Sequence, residues 1–219
     1  MNDKSDPISE AAFKFFGKMT ASISHEIKNV LAIINENAGL LEDYTLMAEK
    51  GKAIDPERLK KLAGKVKSQV QRADGIVKNL NKFAQTVDES TGRVDLNETL
   101  DLVTVLSGRF AFVQGVTLDR KQPENPVKIT TSPFLLQNIL WLCLEFAMEV
   151  SGEEKKVGLV TEKTETGASV RFTQLKGLIA GPSDRFPTER EKALLRALKA
   201  RLAFGVEGGE IVLSLPDSI

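Results

Sequence analysis

The sequence predicts an α+β protein in which an antiparallel helical hairpin, forming a four-helix bundle on dimerisation, precedes an α/β sandwich. Three observations predict it. Apolar residues from Phe13 to about Ala84 recur at steps of three and four, with one break near Glu49-Lys50-Gly51-Lys52. From Arg93 onward, short strand-like runs alternate with helical stretches. Between the two, Gln85 to Arg93 is polar, carries Gly92 and reads as a linker, so domains are expected at residues 1–88 and 93–219.

Bulk properties narrow the function classes. The chain has 219 residues, 42% hydrophobic and 27% charged, enough apolar content for real cores. Its 30 basic residues balance its 30 acidic ones, so nothing electrostatic points to nucleic acid or an anionic membrane surface as a partner. The one cysteine, Cys143, excludes a disulfide within the chain and a cysteine-based metal cluster, and suggests a reducing compartment. No stretch approaches the roughly 18–20 apolar residues of a membrane span. Met1 to Glu10 is polar and acidic, without a signal-peptide core. The expectation is a soluble, cytoplasmic protein.

In the first helix, Phe16, Ile23, Ile27, Val30, Ile34 and Leu41 form one seam, with Thr20 and Asn37 as polar members. Leu31, Ala38 and Leu40 widen the stripe beyond a two-stranded coil, which suits a four-helix bundle. The second helix starts at Asp55-Pro56, aspartate as N-cap and proline where its missing N–H costs nothing. Leu59, Leu62, Val66, Ala73, Ile76, Leu80 and Phe83 continue its stripe. A lone pair of helices cannot cover stripes this wide, so a homodimer is expected.

The only histidine, His25, sits two residues from both Ile23 and Ile27. At 100° per residue it lies about 200° from each, opposite the seam and facing water. Asn29, one turn on, shares its face, as do the small residues Ala21, Ser22 and Ala32, while Glu26 is its immediate neighbour and Lys28 stands beside Asn29. Such a patch leaves the imidazole open to a protein partner. A surface histidine alone is ordinarily just a surface histidine. The nearby carboxylate and carboxamide raise the interest of this one.

The stretch Phe16-Gly17-Lys18-Met19-Thr20-Ala21-Ser22-Ile23-Ser24-His25-Glu26-Ile27-Lys28-Asn29-Val30-Leu31 resembles the H-box of two-component sensor histidine kinases. The family's usual proline is replaced by Val30, which should leave the helix unkinked. The resemblance implies a dimerisation and phosphotransfer bundle with His25 as phosphoacceptor. It implies Glu26 as the acidic neighbour that polarises the ring, and Asn29 as the position linked to phosphatase activity. Neutral imidazole is a competent nucleophile near neutral pH, and a carboxylate can hold its tautomer.

The second half is expected to carry strands at Arg93–Leu96, Val116–Asp119, Val127–Thr130, Val157–Lys163, Ser169–Leu175 and Glu210–Leu215. Helices are expected at Asn97–Phe110, Pro133–Val150 and Thr188–Phe204, with Ser132-Pro133 a cap and first-turn pair. This order resembles the ATP-binding domain that follows the H-box. Val94-Asp95-Leu96-Asn97-Glu98 is similar to its entry, Phe134 to Glu145 to its asparagine-bearing helix, and Gly208-Gly209-Glu210-Ile211-Val212-Leu213 to its glycine turn and last strand.

Three departures stand out. Trp141 and Glu145 occupy the positions of the family's magnesium- and phosphate-holding asparagines, and Asn138 lies close by. No acidic residue occurs from Thr166 to Ser183, where the family reads adenine with an aspartate. No glycine occurs from Pro182 to Phe204, so backbone N–H groups lack the freedom to close on phosphates. The sandwich therefore reads as a histidine-kinase ATPase-like fold with a degenerate nucleotide site.

Other features have plainer readings. Trp141 is expected in the core, Leu194, Leu195, Leu198 and Leu202 as a sheet-facing stripe, and Gly181-Pro182-Ser183 as a loop. Lys60, Lys61, Lys65 and Lys67 read as a solvated face.

The leading expectation is a dimeric histidine phosphotransfer protein that relays phosphoryl groups between response-regulator receiver aspartates through His25. It would bind no cofactor of its own, the magnesium being supplied by the partner response regulator. Ala21, Ser22, Lys28 and Ala32 would form the partner-binding surface. The alternatives are an ATP-dependent histidine kinase with a divergent nucleotide site, or a non-catalytic regulator-binding scaffold or receiver phosphatase.

Overall fold

The computed structural model describes residues 7–121, 125–178 and 185–219. Twelve elements follow in order: α1 (Pro7–Glu49), α2 (Pro56–Gln85), β1 (Gly92–Asp95), α3 (Leu96–Gln114), β2 (Thr117–Lys121), β3 (Lys128–Thr131), α4 (Pro133–Glu149), β4 (Lys156–Thr164), β5 (Gly167–Thr173), α5 (Glu189–Ala197), β6 (Arg201–Gly205) and β7 (Glu210–Pro216). They form two compact units. One is Thr20–Lys82; the other joins residues 1–19 to Phe83–Ile219.

In the first unit α1 runs through Val30 as one α-helix, as the missing proline predicts. The chain turns at Gly51 and re-enters helix at Pro56, where the Asp55 carboxylate accepts the Glu57 N–H at 2.9 Å. Ile23, Val30, Asn37 and Leu62 are buried. Leu31, Leu40, Leu41, Leu46, Met47, Val70 and Val77 remain exposed within one chain.

The second unit is built on a five-stranded sheet of order β2-β4-β5-β7-β6, parallel at β2–β4 and antiparallel elsewhere, beside a separate β1–β3 pair. Register aligns Phe172 with Ile211, Val170 with Leu213 and Ala168 with Leu215, so one face is continuous apolar core. On the opposite face the Arg171 guanidinium donates to Glu210 at 2.6 Å and to Glu162 at 3.2 Å. Helix α4 packs on β4 and β5, with α3 and α5 against its flanks. Gly167 is required where it stands, since a Cβ there would fall 2.0 Å from the Leu215 carbonyl.

The helix ends have local causes. Asp95 caps α3 by accepting the Asn97 N–H at 2.9 Å, and Gly115 closes it with φ 68°, where other residues are strained. Ser132 precedes Pro133 at the start of α4, as expected, but its side chain makes no capping bond. Thr188 and Glu191 form a reciprocal capping box on α5.

Two expectations fail. The helix expected over Thr188–Phe204 stops at Ala197, and Arg201–Gly205 is strand β6, paired antiparallel with β7. Lys199 at φ 48° turns the chain there. The leucine stripe masked that turn: Leu194, Leu195 and Leu198 are buried core, but Leu202 belongs to the strand. The strand expected over Ser169–Leu175 ends at Thr173, because Gln174 has φ 67°. Gly181-Pro182-Ser183 lies outside the described residues.

Candidate functional site

Helix α1 alone positions the residues around His25. His25, Ala21, Lys28, Asn29 and Ala32 are all exposed, and Glu26 is half-buried. Ser22 departs from the expectation. It is 2% exposed, so it lies on the packed side of α1 and is unavailable to a partner. The reason is a shift of the packed line. The structure buries Phe15, Met19, Ile23 and Val30, whereas Phe16 and Leu41, assigned to the seam, are 41% and 48% exposed. That rotates the buried side toward Ser22 without moving His25 off the open face.

Among the described residues the imidazole has one polar neighbour at hydrogen-bond distance. The Asn29 carboxamide lies 3.2 Å from His25 Nδ1. A half-turn of the carboxamide exchanges its nitrogen and oxygen without changing its shape. With the amide N–H donating, Nδ1 is the acceptor and the proton sits on Nε2. With the oxygen facing the ring, Nδ1–H donates and Nε2 keeps a lone pair in solvent. The second tautomer is the one a nucleophilic histidine needs. Spacing placed Asn29 on the right face, but nothing in the sequence says that it touches the ring and that Glu26 does not.

The second unit holds the other residues of interest. Trp141 is 1% exposed, with its ring 4.8 Å from that of Phe110, so it is core. Glu145 pairs with Lys18, whose ammonium also lies 5.7 Å from the Trp141 ring centroid. Phe15 packs edge-on against Phe83 at 5.4 Å and beside Phe134 at 5.7 Å. Asn138 is fully buried, and neither side-chain polar atom has a hydrogen-bond partner among the described residues. Sequence reasoning gave Lys18 no role of its own, because its partners lie more than a hundred residues away.

The fit of these side chains to a magnesium–phosphate group is poor as they stand. Magnesium is held by one or two carboxylates together with phosphates and waters. Glu145, the carboxylate beside Trp141, is paired with the Lys18 ammonium. Among the described residues no group of three or more His, Cys, Asp or Glu could hold a metal ion. No described helix is long and apolar enough to cross a membrane.

Comparison with known proteins adds a likeness over part of the chain. Residues 17–88 match the His Kinase A (phospho-acceptor) domain. No curated protein sequence matches the chain. Among solved structures, the catalytic domain of histidine kinase ThkA aligns with 59% of this chain and 99% of its own, at 15% identity and TM-score 0.48. The Acinetobacter baumannii histidine kinase AdeS aligns over 89% and 98%, at 13% identity and TM-score 0.46. ThkA in complex with the response regulator protein TrrA aligns over 94% and 63%, at 19% identity and TM-score 0.45. The helical part of the chain, with His25 and Asn29 inside it, is thus similar to the phospho-acceptor domain of histidine kinases.

Proposed function

We propose that the chain is a two-component signalling protein of the histidine kinase type, with His25 as its phosphoryl acceptor and response-regulator receiver domains as partners. One observation carries this reading: the chain's only histidine lies inside the matched domain, exposed, with the Asn29 carboxamide at 3.2 Å from Nδ1. The exposed leucines and valines of the hairpin support a homodimer, since a second copy would cover them.

In transfer with a receiver, the Nε2 lone pair attacks the phosphorus of the aspartyl phosphate. An N–P bond forms as the P–O bond to the aspartate breaks, the carboxylate leaves as an anion, and the Nδ1 proton stays on the ring, donated to the Asn29 oxygen. Magnesium belongs to the receiver in this scheme. Glu26 would stabilise the positive ring from its place beside it, and Ala21, Lys28 and Ala32 would meet the receiver surface. In a separate hydrolytic reaction, Asn29 would orient a water toward the phosphorus of the receiver's aspartyl phosphate, releasing inorganic phosphate.

The matched domain is the phospho-acceptor domain of histidine kinases, and that likeness favours ATP as the source of the phosphoryl group over a stand-alone relay. The relay without ATP is kept as a second reading by the buried Trp141 and the paired Glu145 at the positions where a nucleotide would be held. Labelled Mg-ATP and a receiver charged with acetyl phosphate, offered separately to wild type and to His25→Ala, decide between them. Label reaching His25 from ATP supports the kinase, and label arriving from the receiver alone supports the relay. If wild type takes no label from either, the proposal fails and a scaffold remains.

A further inference from the structure

We infer that Lys18 is an ionic latch within the second unit, holding the base of α1 against α4. It acts on two groups of α4 at once. Its ammonium pairs with Glu145 and lies 5.7 Å from the centroid of the Trp141 ring. Residues 141 and 145 are one turn apart, so a single side chain spans one face of the helix. Beside the latch, Phe15, Phe83 and Phe134 form a cluster with ring centroids 5.4–6.2 Å apart, Phe15 and Phe83 being almost wholly buried.

The two halves of this contact answer to different conditions. The aromatic cluster is dry and indifferent to ions. The ion pair is reachable by water, with side chains 45% and 24% exposed, and so is screened by salt. The junction therefore has a fixed apolar side and a releasable ionic side. Asn138 shares the α4 face of Glu145, seven residues away, and its carboxamide is buried without a partner among the described residues, a burial that opening of this face to water would relieve.

A latch of this kind controls access to the face of α4 that bears Trp141, Glu145 and Asn138. Lys18 precedes His25 by seven residues in the same helix, so the latch belongs to the element that carries the acceptor. The inference stands on the second unit alone and needs no phosphoryl chemistry. Its failure and that of the proposed function are therefore separate results.

Trp141 is the chain's only tryptophan and reports directly. In the full-length protein at low salt, its emission should be blue and poorly quenched by acrylamide. Lys18→Met keeps the hydrocarbon cover and removes the charge. It should raise quenching severalfold, as should Glu145→Gln, and both variants should lose the salt dependence that wild type shows. The double variant should be no more open than either single one, because both remove the same interaction. The swap Lys18→Glu with Glu145→Lys should close the site again, with helicity by circular dichroism unchanged throughout. Quenching at the wild-type level in both single variants would overturn the latch, as would a folded swap that stays open or a wild type indifferent to salt.

Discussion

The two units of this chain solve the burial problem differently. The hairpin segment Thr20–Lys82 buries the apolar side chains Ile23, Val30 and Leu62, and leaves seven large ones exposed, from Leu31 to Val77. The sheet-bearing unit buries Trp141, Phe172, Leu213 and a full complement of neighbours between one sheet face and three helices. Hydrophobic stabilisation scales with apolar area removed from water. The second unit therefore completes its core from its own sequence, and the first leaves a stripe that the proposed dimer would cover. A helical pair needs such cover, since propensity alone leaves helices marginal.

The sharpest way to break this contrast is to place charge on the uncovered stripe. Leu31→Asp together with Leu41→Asp should convert a dimer to monomer in sedimentation equilibrium and melt much of the hairpin, while Trp141 emission stays native. A dimer that survives would show that other residues cover the stripe. The converse variant, Trp141→Ala, should cost the second unit about 3–5 kcal/mol in denaturant unfolding, as deletion of a large buried ring does, without changing the oligomeric state.

Acid sharpens the contrast further. Burial on its own would push the Glu191 carboxyl up. Hydrogen bonds from Thr188 and Arg190, with the Arg190 charge, outweigh that and hold it below its ordinary value. A carboxyl lowered on folding stabilises above the ordinary carboxylate range and loses that contribution as pH falls through its folded value. Glu191→Gln should therefore cost about 1–3 kcal/mol at neutral pH, and the deficit should shrink toward acid. A variant whose stability parallels wild type at every pH would remove Glu191 from the account. The smallest effects belong to the caps. Asp55→Ala should lower hairpin stability and Asp95→Ala that of the second unit, each by about 1 kcal/mol, measurable as separate shifts in thermal midpoint.

Much of this was legible from residue order, and the failures are local. Periodicity placed α1 and α2, and Asp55-Pro56 marked the restart to the residue. Strands β2 to β4 fell within a residue or two of their expected ends. The seam was out of phase because Phe15 and Phe16 are equally apolar. Only contact with Phe134, distant in sequence, decides that Phe15 goes inward. The α5–β6 boundary was hidden for a related reason. Leu198 and Leu202 keep helical spacing across a turn made by Lys199 in a left-handed conformation, with neither glycine nor proline to mark it. At the site, helical phase put His25 outside and Asn29 beside it. Ser22 was misplaced by the same phase error, and the reach of Lys18 across to Glu145 is a tertiary fact.

The solitary thiol of Cys143 has a use apart from signalling. It is fully buried in α4, and burial pushes it above its ordinary pKa, so almost none of it is in the reactive thiolate form. A thiol reagent meets it only when the helix leaves its packing, which makes the labelling rate a clock for that opening. With no second cysteine to compete, the clock counts one event. An added receiver or nucleotide that steadies α4 would slow it, and salt that releases the Lys18–Glu145 pair would make it run fast.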